Sequence, residues 1–198
     1  KVEKILIEEL TKYKKRYSII TEESGKIDNT DNENTWIIDP IDGTTNFLHG
    51  IPHFSISIAL KSQNEIVSGL IFDPIKNEIF YAEKNNGSFF NNQRIRVSKR
   101  NDLDECLFTT NHLGAKNSDL NLRYTGCAAL DLAYVGAGRL DGFFQNNINI
   151  WDIAAGAIIV EEAGGKVNDL NIFEINNIDI RAASSNIYSK MLEKLKNF

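Results

Sequence analysis

The stretch from Trp36 to Phe47 constrains the fold most. An apolar run, Trp36-Ile37-Ile38, stops on Asp39, and Pro40-Ile41-Asp42-Gly43-Thr44-Thr45-Asn46-Phe47 follows. Pro40 fixes its own φ and pushes Asp39 toward extended backbone, so a strand ends on a carboxylate in front of a stiff linker. The turn after it would bring Asp42 back to the side of Asp39. Gly43 then opens a short helix whose first N–H groups suit an anion, with the Thr44 hydroxyl beside them. Two carboxylates held that close repel, and a cation between them or a captured proton relieves the repulsion. Hard divalent cations such as Mg²⁺ take carboxylate oxygens and keep open water positions. On its own, Asp-Pro-x-Asp-Gly is an ordinary turn sequence; the flanking sequence decides between the two readings.

The chain has 198 residues, 42% apolar and 25% charged, which supports one substantial core. A net charge of −5 argues against a nucleic-acid surface as the main feature. The basic run Lys12–Arg16 reads as a solvated helix face. Cys106 and Cys127 lack CxxC spacing, which fits a reducing, cytoplasmic compartment better than a disulfide scaffold. No apolar run reaches the length of a membrane span and no signal peptide is visible, so no membrane partner is expected. The sole methionine is Met191 and the chain opens in a helical pattern, so part of the N-terminus is expected to be missing. The preference for Ile, Asn and Lys hints at an AT-rich bacterial genome.

Taken in order, residues 2 to about 16 have helical spacing. Ser18-Ile19-Ile20 is a short strand that runs into Thr21-Glu22-Glu23-Ser24-Gly25, two acids at a strand end. Residues 26–34 read as a surface loop and Thr35–Asp39 as the second strand. Residues 54–60, 65–73 and 77–83 alternate as strands separated by turn residues, an antiparallel meander. Cys106–Thr110 is a further strand. Cys127–Val135 is a small-residue helix, Leu140–Gln145 a strand, and Ile153–Ala163 a second helix with Asp152 at its N-cap and close packing on both sides. Strands at 166–169 and 180–184 and a helix at 185–197 complete the chain. His49 and His53 read as loop and packing residues. The predicted fold is α+β, an α/β/α/β/α sandwich, in one domain over 1–198: N-terminal layers with the meander over 1–110, and C-terminal layers over 111–198.

Glu22, Asp39, Asp42 and Asp152 thus stand at the ends of separate elements. With Trp36–Asn46, Trp151-Asp152-Ile153-Ala154-Ala155-Gly156 through Glu162-Ala163-Gly164-Gly165, Glu22-Glu23-Ser24 and Arg123–Asp131 in this order, the sequence resembles the inositol monophosphatase family of Mg²⁺-dependent, lithium-sensitive phosphatases. The likeness runs across nearly the whole chain and implies a sugar-phosphatase type of fold. It implies that Glu22, Asp39 and the Ile41 carbonyl hold one Mg²⁺, and that Asp39, Asp42 and Asp152 hold a second, with two or three ions per site. It implies that Glu22 and Thr44 orient the attacking water and that the Gly43 and Thr44 amides, with Ile41 and Asp42, meet the phosphate. Arg123, Gly126, Cys127, Ala128, Gln145 and Asp152 would line the alcohol side.

The resemblance also implies a homodimer and a substrate that is a small phosphorylated polyol or sugar, with inositol 1-phosphate the default. The alternatives are the same chemistry on fructose 1,6-bisphosphate, histidinol phosphate or adenosine 3′,5′-bisphosphate, or a regulatory factor linked to RNA polymerase. Three departures from the family pattern bear on this. A preceding helix and its acidic residue, which would bond the catalytic threonine, are absent. Gln145 stands where the family usually has Glu. The segment Asn111–Leu122 is short, either through deletion or through omitted residues.

Overall fold

Period-two alternation between Ser55 and Arg94 builds most of the first sheet. The computed structural model describes residues 1–111 and 119–196. Strands β1 (Tyr17–Thr21), β2 (Gly25–Ile27), β3 (Asp31–Asp42), β4 (Ser55–Ser62), β5 (Glu65–Asp73), β6 (Glu78–Glu83), β7 (Gly87–Phe90) and β8 (Gln93–Arg94) form one sheet in the order β2-β1-β3-β4-β5-β6-β7-β8. From β3 to β8 every pairing is antiparallel, as the alternation predicts. Asn91 and Asn92 both take positive φ in the two-residue β7–β8 turn, the geometry such a hairpin needs. β1 instead runs parallel to β3, with Thr21 opposite Ile38. Glu22, the residue after β1, and Asp39, the residue of β3 just past that last pair, therefore come to the same end of the two strands.

A second sheet has the order β10-β9-β11-β13-β12, from β9 (Phe108–Thr109), β10 (Leu122–Arg123), β11 (Gly142–Ile148), β12 (Gly165–Val167) and β13 (Ile178–Ser184). The helices are α1 (Val2–Tyr13), α2 (Thr44–Leu48), α3 (Ala128–Gly136), α4 (Ile150–Glu162) and α5 (Tyr188–Lys194). α1 packs on β1 and β3, α3 and α4 lie between the sheets, and α5 packs on β13. The predicted order of five layers is what the chain builds.

Between Asp152 and Glu161, α4 is apolar on every face because both of its sides are covered. Its backbone comes so close to β5 that a Cβ on Gly69 would lie 2.7 Å from the Ala155 Cα, while Gly156 meets Leu132 of α3. The small residues of α4 are therefore a packing requirement. Truncating a fully buried side chain here, such as Ile159, costs about 2–5 kcal/mol.

Several expected boundaries move. α1 stops at Tyr13, because Lys14-Lys15-Arg16 turns to start β1, with the Tyr17 N–H bonded to the Lys14 carbonyl. The basic run is thus part helix and part turn. The presumed loop 26–34 holds the end of β2 and the start of β3, where the Asp31 side chain accepts the N–H groups of Glu33 and Asn34. The strand expected over 106–110 is confined to Phe108–Thr109, and β11 runs on to Ile148. Helix α4 begins at Ile150 with Asn149 as its N-cap, so Asp152 is not the cap residue. α5 begins three residues later than expected, and residue 197 of that expectation lies outside the described residues. So does most of the short segment Asn111–Leu122, namely 112–118.

Candidate metal centre

The way Asp42 returns to Asp39 is a strand irregularity and not the turn that the sequence suggests. Asp39 pairs with Ser57 of β4 and Asp42 with Ser55, so three steps on β3 oppose two on β4. Residues 39 and 42 of a regular strand would face opposite sides. The one-residue bulge puts both on the same side. It falls at Pro40, which has no N–H to contribute to the ladder, and the Asp39 carboxylate accepts the Ile41 N–H at 2.9 Å across it.

Gly43 follows with φ +88°, the left-handed region, and a Cβ there would sit 3.1 Å from the His53 carbonyl oxygen and 3.3 Å from the Cys127 Cβ. Only glycine suits both constraints. Helix α2 then starts, and the Thr44 hydroxyl donates to the Ile41 carbonyl at 2.9 Å.

Asp152 arrives from the interlayer helix. The side chain of Asn149 caps the N3 amide and the Asp152 carboxylate accepts the Asn149 N–H at 3.1 Å, a reciprocal capping box. This spends one carboxylate oxygen on the helix start. Ser57 of β4 donates to the Trp151 carbonyl at 3.2 Å and ties that start to the first sheet.

Asp39, Asp42 and Asp152 each offer an oxygen within 4.8 Å of the others. Asp39 and Asp42 are buried and Asp152 partly so. Among the described residues none of the three has a cationic side-chain partner in ion-pair range. Burial, and then the charges of Asp42, Asp152 and Glu22, push the Asp39 carboxyl far above the ordinary carboxylate range. Burial likewise raises Asp152, which shares a hydrogen bond with Asp39. Burial and the Asp152 charge bring Asp42 up to about 7, against the lowering effect of Cys127 and the first amides of α3. A compact set of oxygen donors with excess, uncompensated negative charge fits a hard divalent cation.

Glu22 stands outside this tight set, on an exposed turn after β1, although its charge bears on Asp39 and Asp152. Cys127 was expected to line the substrate, but its thiol is fully buried and points at Asp42, donating to Oδ2 at 3.0 Å. The Ala129 N–H donates to the same oxygen at 2.6 Å. Gly126 and Gln145 are linked through Asn111, whose side chain accepts the Gly126 N–H at 3.1 Å and whose own N–H donates to Gln145 Oε1 at 2.8 Å. Arg123 is exposed and its guanidinium donates to the Leu122 carbonyl. Ala128 is buried in the first turn of α3. Neither His49, which is exposed, nor His53, which is half-buried, joins the carboxylates.

Sequence reasoning missed the supports. Asn46 donates to the carbonyls of both His53 and Thr125, each at 2.8 Å, and so clamps α2 to the segment before α3. The Asn149-x-x-Asp152 spacing is a legible capping signal. Nothing local in the sequence marks Asn46, Asn111 or the Ala129 amide.

A model of the inositol monophosphatase family matches residues 1–197. An inositol-1-monophosphatase of Rhizobium meliloti (strain 1021) is 44% identical over 184 residues, 85% of this chain and 69% of the relative. The Nus factor SuhB of Escherichia coli (strain K12) is 38% identical over 219 residues, 98% of this chain and 82% of the relative. Among solved structures, the extragenic suppressor protein suhB of Bartonella henselae superposes with a TM-score of 0.90 at 44% identity, covering 98% of this chain and 81% of that one.

Proposed function

The chain belongs to the inositol monophosphatase family, and from that premise we propose a Mg²⁺-dependent phosphomonoesterase that hydrolyses inositol 1-phosphate or a similar small polyol or sugar phosphate. The observation that carries this reading is the approach of the Asp39, Asp42 and Asp152 oxygens to within 4.8 Å, uncompensated by cationic side chains among the described residues. Glu22, Asp39 and the Ile41 carbonyl would hold one ion, and Asp39, Asp42 and Asp152 a second. When bound, Mg²⁺ lowers the pKa of a water nucleophile and neutralises charge on the phosphoryl and leaving oxygens.

The rest falls to the chain's own groups. The Gly43 and Thr44 N–H groups donate to the phosphate. Glu22 and Thr44 orient the attacking water. Because the Thr44 hydroxyl gives its proton to the Ile41 carbonyl, its lone pairs remain free to accept from that water. Arg123, Gly126, Ala128 and Gln145 bound the alcohol side. The Gln145 Oε1 already accepts the Asn111 N–H and the Thr110 hydroxyl, so it has little acceptor capacity left for substrate hydroxyls. Relative kcat/KM over inositol 1-phosphate, fructose 1,6-bisphosphate, histidinol phosphate and adenosine 3′,5′-bisphosphate tests the assignment. Inositol 1-phosphate is expected to lead, and a different leader moves the substrate while keeping the chemistry.

Cys127 acts through Asp42. Its S–H and the Ala129 N–H both hold Oδ2, which leaves Oδ1 to face the cation. Cys127→Ala is expected to lower kcat/KM about tenfold, the scale of losing a ligand's supporting hydrogen bond. Cys127→Ser, which restores a donor, is expected to stay near wild type. Equal activity in all three proteins would remove Cys127 from the site.

A second reading has an observation of its own, the 38% identity to a protein named Nus factor SuhB over 98% of this chain. On that reading the chain also meets the transcription machinery. Co-purification with RNA polymerase from the native host tests it; its absence leaves the phosphatase reading alone.

A further inference from the structure

Glu3, at the start of α1, is only 4% exposed, and among the described residues it has no ion-pair partner. A buried carboxylate without a cation is costly unless hydrogen bonds converge on it. Three do, all from the turn that carries Glu22. The Thr21 hydroxyl donates to Oε2 at 2.7 Å, the Glu23 N–H donates to Oε2 at 3.1 Å, and the Ser24 hydroxyl donates to Oε1. Burial works to raise the Glu3 carboxyl, yet these donors hold it below the ordinary carboxylate range, so it is the charged form that they grip. If Glu3 merely filled space under α1, an apolar side chain would do so more cheaply.

The turn has reason to be gripped. Thr21 is the last residue of β1, opposite Ile38, so Glu22 is delivered beside Asp39 by backbone alone. Glu22 itself is exposed and lies outside the compact oxygen set, with no hydrogen bond among the described residues to fix its side chain. Its reach to the cation is set by where the turn sits. We infer that Glu3 is a positioning residue: by clamping Thr21, Glu23 and Ser24 onto α1 it fixes the Glu22 turn against Asp39 and so sets the affinity of the site for divalent metal. This rests on the reading of the carboxylates as a metal centre.

The test is Mg²⁺ binding by calorimetry and by the Mg²⁺-induced rise in Tm, neither of which needs turnover. The proteins compared are the wild type, Glu3→Gln, Glu3→Ala, Glu22→Gln and the Glu3→Ala/Glu22→Gln double variant. Glu3→Ala is expected to weaken Mg²⁺ binding about tenfold, the scale of an outer-shell support. Glu3→Gln, which keeps the shape and one acceptor, is expected to fall between it and wild type. In the Glu22→Gln background, Glu3→Ala is expected to change Mg²⁺ affinity by less than about twofold, because coupled residues are not additive.

A Glu3→Ala protein with lowered metal-free Tm but wild-type Mg²⁺ affinity would overturn the inference, since that is what a purely structural role gives. An equal loss in both backgrounds would also overturn it. If Glu3→Ala does not fold, Glu3→Gln and Thr21→Val carry the same comparison. Wild type that binds no Mg²⁺ would overturn the metal centre itself, an outcome distinct from either of these.

Discussion

Asp42→Asn is expected to fold and to hydrolyse phosphate at least about a thousandfold more slowly than wild type, the loss of a charged group at the reacting centre. The reason lies in what surrounds the side chain. Asp42 Oδ2 already accepts from the Cys127 thiol and the Ala129 N–H. An amide placed with its oxygen there turns its NH₂ toward the cation. The opposite flip sets NH₂ against the Ala129 N–H and leaves a buried donor without an acceptor. Neither orientation serves both sides, whereas the carboxylate does. Circular dichroism and Tm check the fold, and phosphate release checks the loss. Near-wild-type turnover would exclude Asp42 as a metal ligand.

The second large effect is on stability. Saturating Mg²⁺, at about a hundredfold over its Kd, is expected to stabilise the protein by about 2.7 kcal/mol. For a chain of this size that raises Tm by about 5–10 °C. Without metal, Asp42 binds its proton more tightly when folded, at about 7, than in its ordinary state near 3.8. The folded state therefore holds more protons than the unfolded one across that window, and metal-free stability falls as pH rises from about 4 to 7. The upward shift of Asp39 acts in the same direction. Asp39→Asn removes a carboxyl that must take up a proton to be buried without metal, so it is expected to raise the metal-free Tm at neutral pH while erasing most of the Mg²⁺ shift. Thermal melts at several pH values, with and without Mg²⁺, check both signs. A metal-free Tm that rises from pH 5 to 7, or a full Mg²⁺ shift in Asp39→Asn, would contradict this electrostatic picture.

The meander was legible because each of its strands has one covered face, so alternation and turn residues mark it directly. The carboxylates were legible because each stands where the sequence pattern changes: Asp39 between an apolar run and a proline, Asp152 in the first turn of an apolar helix. What joins them was not. The bulge that brings Asp42 to the side of Asp39 depends on register against Ser55 and Ser57 of the next strand, a pairing that no local pattern specifies. The clamp on Asp42 comes from Cys127 and Ala129, more than eighty residues away. Glu3 left a local trace, since it shares the helix face of Leu6, Ile7 and Leu10 at spacings of three, four and seven. A carboxylate on an apolar stripe says that it is buried, and only the tertiary pairing of α1 with the β1 turn says why. The loop expected over residues 26–34 failed at its two ends: Lys26 and Ile27 close the edge strand β2 with exposed side chains, and β3 already starts at Asp31.

The most direct measurement is phosphate release from inositol 1-phosphate by the wild-type protein, first without divalent metal, then with Mg²⁺, then with Li⁺ added. A Mg²⁺-dependent phosphatase predicts release only with Mg²⁺, and the lithium sensitivity that the family resemblance implies predicts its suppression by Li⁺. Release that is indifferent to Mg²⁺, or no release from this or any other phosphate monoester by folded protein shown to bind Mg²⁺, would contradict it.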